Sequence, residues 1–161
     1  MAARAEREAS ATEGVAISRA AELLGGSKVF RRQLRHSLEV HEILSRGLPR
    51  EALAHLINNV SVLHNQALLK VAIGVSLRTS QRMKAAPGKP LSPEQSGRAW
   101  IFAEILAKAT EVLGSQQEAE RWLEHPAIGL DQRRPIDLLA TPAGVKLVED
   151  FLGRLEYGVY T

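Results

Sequence analysis

"QALLKVAIGVSLRTSQRMKAA", residues 66 to 86, decides how this chain reads. Leu68, Leu69 and Ile73 recur at the spacing of one helical face. Gly74 supplies a turn, because glycine takes a positive φ at no steric cost. Val75 is placed to plug the corner, and Ser76 to cap a second helix. The layout is that of a helix-turn-helix, with Leu77 to Lys84 as the helix that would read DNA. Its polar side offers Arg78, Thr79, Gln81, Arg82 and Lys84. Arginine can take guanine O6 and N7 with two hydrogen bonds, glutamine can do the same for adenine, and lysine and threonine suit phosphates. Two positions depart from the usual pattern. Lys70 stands four residues before the turn glycine, where a small side chain normally lets the helices approach, and Ser80 takes an interior position that is normally apolar. The same residues also fit a plain helical hairpin with a solvated basic face, or one that serves assembly.

Charge around this segment favours a polyanion partner. No acidic residue lies between Glu51 and Glu94, a stretch that holds Lys70, Arg78, Arg82, Lys84 and Lys89. Residues 1 to 97 carry 14 Lys/Arg against 8 Asp/Glu, and residues 98 to 161 carry 7 against 10, so the net +3 hides halves of opposite sign. With 161 residues, 45% hydrophobic, the chain can bury a substantial core. It has no cysteine, which removes disulfides and thiolate metal sites and makes a reducing, cytoplasmic setting the natural one. The opening "MAARAEREASATEG" lacks the apolar core of an export signal, and no stretch approaches the ~18 apolar residues of a membrane span. No membrane association is expected.

Outward from residues 66 to 86, the apolar spacing stays near 3.6 and no run alternates as a strand would. The fold class is therefore all-α: an N-terminal helix-turn-helix bundle followed by a small helical domain. Residues 1 to 14 read as a disordered arm or a frayed helix. Residues 15 to 91 form the first domain, with helices over Val15 to Leu24, after Ser37 (carrying Leu38, Ile43 and Leu44) and after Pro49. "APGKPLSP", residues 86 to 93, is the boundary, since three prolines and a glycine in eight positions cannot continue a helix. Residues 92 to 161 then open with Ser92-Pro93-Glu94-Gln95, a capping box with a first-turn proline, and the stripe Phe102, Ile105, Leu106, Ala109, Val112, Leu113. Ser115 to Glu118 reads as a second capping box. Thr141-Pro142 opens a last helix with Val145, Val148, Phe151, Leu152, Leu155 and Val159.

From residue 129 the chain reads "GLDQRRPIDLLATPAGVKLVEDFLGRLEYGVY", with Pro135, Ile136, Asp137, Leu138, Leu139, Thr141, Gly144, Val148, Leu152, Arg154, Leu155, Tyr157 and Gly158 spaced as in one family. "LLGG", "RGLPREAL", "LSPEQSGR" and "WLEHPAIGL" precede it in the family's order. This pattern resembles the Xre/MbcA/ParS antitoxins, over roughly residues 20 to 160. The resemblance implies a type II antitoxin that represses its own operon through operator DNA, forms a homodimer, and binds an RES-domain toxin. Such toxins resemble ADP-ribosyltransferases and consume NAD, and the antitoxin's C-terminal end lies at their active-site cleft.

That expectation gives a use to the last seven residues, "LEYGVYT", which hold both tyrosines of a chain with 4% aromatics. A tail that orders only on its partner needs large rigid surfaces with few torsions, and a tyrosine offers a ring to bury and a hydroxyl to pair. Arg134, Arg154, Glu156, Tyr157, Gly158, Val159 and Tyr160 are the residues expected at the toxin. For Tyr157 the alternative is packing within its own domain. For Arg133 and Arg134 it is simple solvation. Trp100 and Trp122, on amphipathic helices, read as core.

No catalytic constellation is present in the sequence: there is no cysteine, no G-x-S-x-G and no phosphate-cradling glycine loop, so neither an enzyme, a cofactor nor a small-molecule substrate is expected. His36, His41, His55, His64 and His125 show no pair at four-residue spacing, and no metal site is expected. The alternative function is a stand-alone helix-turn-helix regulator without a toxin.

Overall fold

The computed structural model describes residues 1–85 and 88–158. Among these the regular structure is helical throughout, apart from an isolated antiparallel bridge between Ala127 and Arg133. The helices are α1 (Ala2–Leu23), α2 (Ser27–Phe30), α3 (Ser37–Arg46), α4 (Arg50–Asn59), α5 (Gln66–Ile73), α6 (Leu77–Ala85), α7 (Pro93–Leu113), α8 (Gln116–Glu124), α9 (Pro135–Leu138) and α10 (Pro142–Glu156), with single 3-10 turns at Ser61–His64 and Ile128–Leu130.

α7 runs through the middle of the molecule, and its sequence explains both its ends and its place. Ser92 Oγ accepts from the Gln95 N–H at 3.1 Å while Gln95 Oε1 accepts from the Ser92 N–H at 3.3 Å, so two donors of the first turn are satisfied reciprocally. Between these ends Ala99, Trp100, Phe102, Ala103, Ile105, Leu106 and Ala109 are all buried. That set wraps most of the way round the helix, and a helix apolar on several sides is stable only when surrounded. It packs against α1, α3 and α5 on the N-terminal side of the fold, and against α8 and α10 on the other. The described part of the proline-rich stretch, residues 88 to 92, therefore leads into α7 without parting the core.

Several local expectations meet a different outcome. Of the two readings for residues 1 to 14, arm or helix, the helix is found: Ala2 to Gly14 form the first turns of α1 and stay largely exposed, so that α1 begins well before Val15. His36, not Ser37, is the residue before α3, where the Glu39 carboxylate accepts from the backbone N–H groups of Arg35 at 2.9 Å and His36 at 3.1 Å. Those two donors hold the Glu39 carboxyl below the usual carboxylate range. Leu38 is 67% exposed, because Val40 fills the position that faces the core. Ser115 accepts from the Glu118 N–H at 3.1 Å, which is one half of the capping box the sequence proposed.

Candidate interaction surfaces

The first surface is built on α5 and α6. Asn65 Oδ1 accepts from the N–H groups of Ala67 and Leu68 at 3.0 and 3.3 Å and so starts α5, whose Leu68, Leu69, Ala72 and Ile73 are buried. Gly74 ends it at φ +78°, donating to the Lys70 carbonyl at 2.9 Å. A side chain at Gly74 would be strained by that φ and would overlap the Arg98 guanidinium. Val75 is fully buried as the corner plug, and Ser76 Oγ accepts from the Thr79 N–H at 3.1 Å. The turn forms as its residues predict.

Along α6, Arg78, Gln81, Arg82 and Lys84 are exposed on the outside of the fold. Thr79 is placed differently. It is half-buried, with its hydroxyl 2.9 Å from Ser76 Oγ, so it completes the cap instead of facing outward. The two irregular positions now have an account. Lys70 points to solvent and leaves the α5 and α6 junction clear. Ser80 is buried at the inner face of α6, beside a cavity of about 180 Å³ lined also by Arg50, Leu53, Ala54 and Met83. A serine fills less space than the apolar residue usual there. Two arginines from other helices hold the motif in place: Arg50 Nη1 donates to the Met83 carbonyl at 3.1 Å, and Arg98 Nη2 donates to the Val71 carbonyl. Neither signal is visible in a one-dimensional motif.

The second surface lies on α10 and the segments before it. Thr141 Oγ1 accepts from the Gly144 N–H at 3.0 Å, and α10 buries Gly144, Val145, Val148 and Leu152 against the core. Trp122 of α8 is half-buried and stacks on Phe151, with ring centroids 6.0 Å apart and planes within 5°. Trp100 is in the core, 3% exposed, and donates its indole N–H to Glu104. The residues expected at a partner divide into two kinds. Arg134 forms two hydrogen bonds to Asp137, at 2.7 and 2.9 Å, and Glu156 pairs with Lys108, so both are engaged within the chain. Arg154 is exposed, with its guanidinium 5.8 Å from the Phe151 ring centre, and Tyr157 is 81% exposed. The Tyr157 ring does not finish the packing of its own domain. Gly158 has φ +67°, while Val159 and Tyr160 lie outside the described residues.

Two apolar side chains on this side were not singled out from sequence: Ile128, 85% exposed, and Leu147, 54% exposed. Ile128 had a faint signal, as an isolated β-branched residue in the turn-rich stretch "HPAIGLDQRRP". Leu147 had none, because it reads as one more apolar residue of an amphipathic helix. The histidines stay apart: among the described residues no group of three or more His, Asp or Glu is arranged to hold a metal ion. No helix among them is long and apolar enough to cross a membrane.

Comparison with known proteins gives both surfaces a context. The profile of the antitoxin Xre-like helix-turn-helix domain matches residues 39–104, which contain α5 and α6. That of the antitoxin Xre/MbcA/ParS C-terminal toxin-binding domain matches residues 108–158, which contain α8 to α10. The chain is 34% identical over 91 residues to the antitoxin Xre of Yersinia enterocolitica, a match covering 56% of this chain and 61% of that protein. It is 28% identical over 121 residues to the antitoxin Xre of Photorhabdus laumondii, covering 74% and 80%, and 33% identical over 70 residues to that of Pseudomonas putida, covering 44% of each. The match thus spans less than two thirds of the Yersinia protein's length. Residues 39–104 and 108–158 are thus similar, in that order, to the antitoxin Xre-like helix-turn-helix domain and to the antitoxin Xre/MbcA/ParS C-terminal toxin-binding domain, and α7 links the two matched stretches.

Proposed function

We propose that this protein is the antitoxin of a type II toxin–antitoxin pair, working in the cytoplasm as a homodimer. Its C-terminal domain binds an RES-domain toxin that consumes NAD and blocks the toxin's active-site cleft, and its helix-turn-helix binds operator DNA to repress the shared operon. The observation that carries this reading is the sequence of two matched domains on one continuous core, with Tyr157 left standing in solvent at the end of the second.

Each step has a stated chemistry. Arg154 offers a planar fork of donors suited to a carboxylate. Tyr157 offers a ring to bury and a hydroxyl to pair, and the terminal residues after it extend the plug. On α6, Arg78 and Gln81 are the base readers, and Arg82 and Lys84 bind phosphates.

The test is co-expression of the protein encoded beside this chain with either the full chain or a version ending at Arg154, followed by measurement of cellular NAD and growth. Protection by the full chain and loss of it on truncation support the plug. Protection by both forms places inhibition elsewhere in the C-terminal domain, and a neighbour that never depletes NAD removes the RES assignment.

A further inference from the structure

The C-terminal domain displays a feature that the tail does not explain. Ile128 stands 85% exposed at the start of a 3-10 turn, while Leu130, two residues on, is buried as an anchor. The loop beneath Ile128 is tightly tied. The Ala127 N–H donates to the Arg133 carbonyl at 3.1 Å, the Gln132 N–H to the Ala127 carbonyl at 3.0 Å, and the Arg133 N–H to the Leu130 carbonyl at 3.1 Å. Asp131 and Gln132 both adopt left-handed backbone, at φ +55° and +58°, an arrangement that non-glycine residues hold only when the surroundings enforce it. Gly129 presses against the Phe151 ring so closely that a side chain there would overlap it, which fixes the loop to α10.

Such a loop is pre-ordered, and an apolar side chain presented on it loses little freedom when bound. Beside it lies a groove of about 310 Å³, walled in part by Leu138 and Leu147. Arg133 and Arg154 also line it. Both are exposed, and neither forms an ion pair among the described residues. Of the two aspartates at the groove, Asp150 is paired with the neighbouring Lys146 at 3.6 Å, so that with this lysine three cations stand against two carboxylates and the rim carries a net +1.

We propose that Ile128 and this groove form a toxin-docking surface distinct from the C-terminal plug. Ile128 enters an apolar recess on the toxin, and Arg133 and Arg154 pair with carboxylates around that recess. The inference rests on the antitoxin reading above and adds where the toxin is gripped. Three observations favour the toxin as occupant. The surface falls wholly within residues 108–158, matched as a toxin-binding domain. It is continuous with the tail, since Arg154 lines the groove and Tyr157 follows one helical turn later. A second copy of this chain would bring the same basic rim against itself, and like charges across an interface oppose association.

The experiment purifies the full chain with the protein encoded beside it and measures their affinity for wild type, Ile128→Asp, Leu147→Asp, Arg133→Glu and Ile128→Val, with thermal melting of each free chain as the control for folding. Ile128→Asp and Leu147→Asp are expected to weaken binding about 30-fold or more, as for a central apolar anchor, without a change in melting. Arg133→Glu weakens it more at low salt than at high salt, and Ile128→Val stays within about threefold of wild type. If wild type binds and both aspartate variants bind equally well, the docking surface is overturned while the antitoxin reading stands. If wild type itself does not bind, the antitoxin reading falls and takes this surface with it. Loss of self-association by sedimentation, with toxin affinity unchanged, would show an interface between copies of this chain and also overturn the proposal.

Discussion

Arg98, in the second turn of α7, donates its guanidinium N–H to the carbonyl of Val71 at the C-terminal end of α5. A cation there meets the negative end of the helix dipole and satisfies an orphan carbonyl, at the point where the chain turns toward α6. Replacing it should disturb the reader helix without touching DNA. Arg98→Met is expected to cost about 1–3 kcal/mol in stability, because a partly buried acceptor loses a charged donor. Denaturant unfolding measures the loss, and operator affinity should fall with it while Arg78 and Arg82 remain in place.

Arg78 and Arg82 are exposed and carry no part of the core, so their removal should leave folding unchanged. Each phosphate that α6 no longer neutralises lowers the dependence of log affinity on log salt by about 0.9. Arg78→Ala with Arg82→Ala should weaken operator binding, Arg82→Ala flattening that slope by about this amount through its lost phosphate and Arg78→Ala relaxing base preference, read from binding isotherms at several salt concentrations. Unchanged affinity and slope would remove α6 from the DNA interface.

Phe102 is 1% exposed and lies on α7, which the helix-turn-helix side and the C-terminal side both pack against. Phe102→Ala should cost about 3–5 kcal/mol, the range for truncating a buried aromatic. Because the core is continuous, far-UV circular dichroism and the fluorescence of Trp100 and Trp122 should report one shared transition, shifted by the same amount. Two separated transitions would mean that the halves fold independently.

Tyr157 has an exposed ring, and among the described residues its bond is that of its backbone N–H to the Gly153 carbonyl at 3.2 Å. Tyr157→Ala should therefore change stability by no more than about 0.5 kcal/mol. Neutralisation of the co-expressed toxin should nevertheless weaken, so a melting curve and a growth assay on the same variant separate a binding role from a packing one.

Glu39 titrates below the ordinary carboxylate range because its charge accepts from the Arg35 and His36 N–H groups. A depressed folded pKa means the stabilisation is present above the unfolded carboxylate pKa and is lost as pH falls through the folded value. Glu39→Gln should therefore lower the melting temperature at neutral pH, and the gap from wild type should close on acidification through that window. A gap that is constant with pH would assign the effect to packing.

Much of this protein was legible along the chain. Helix starts at Ser92, Ser115 and Thr141, the turn at Gly74 and the corner at Val75 depend on hydrogen bonds and φ preferences between residues at most four apart, and such local physics is written in order. The helical class and the helix-turn-helix followed from the same signals. What the sequence by itself could not determine was which side chains would be left over. Ile128 and Leu38 look like core residues and stand in solvent, because exposure depends on which helices surround each face. Arg134 and Arg133 are identical neighbours in sequence, yet among the described residues it is Arg134 that pairs with a carboxylate, Asp137 in the first turn of α9. The role of α7 was hidden for the same reason: one apolar stripe was visible, but burial on several faces appears only when α1, α5, α8 and α10, distant in sequence, close around it. Local bonding chose the helices; long-range packing chose the surfaces they show.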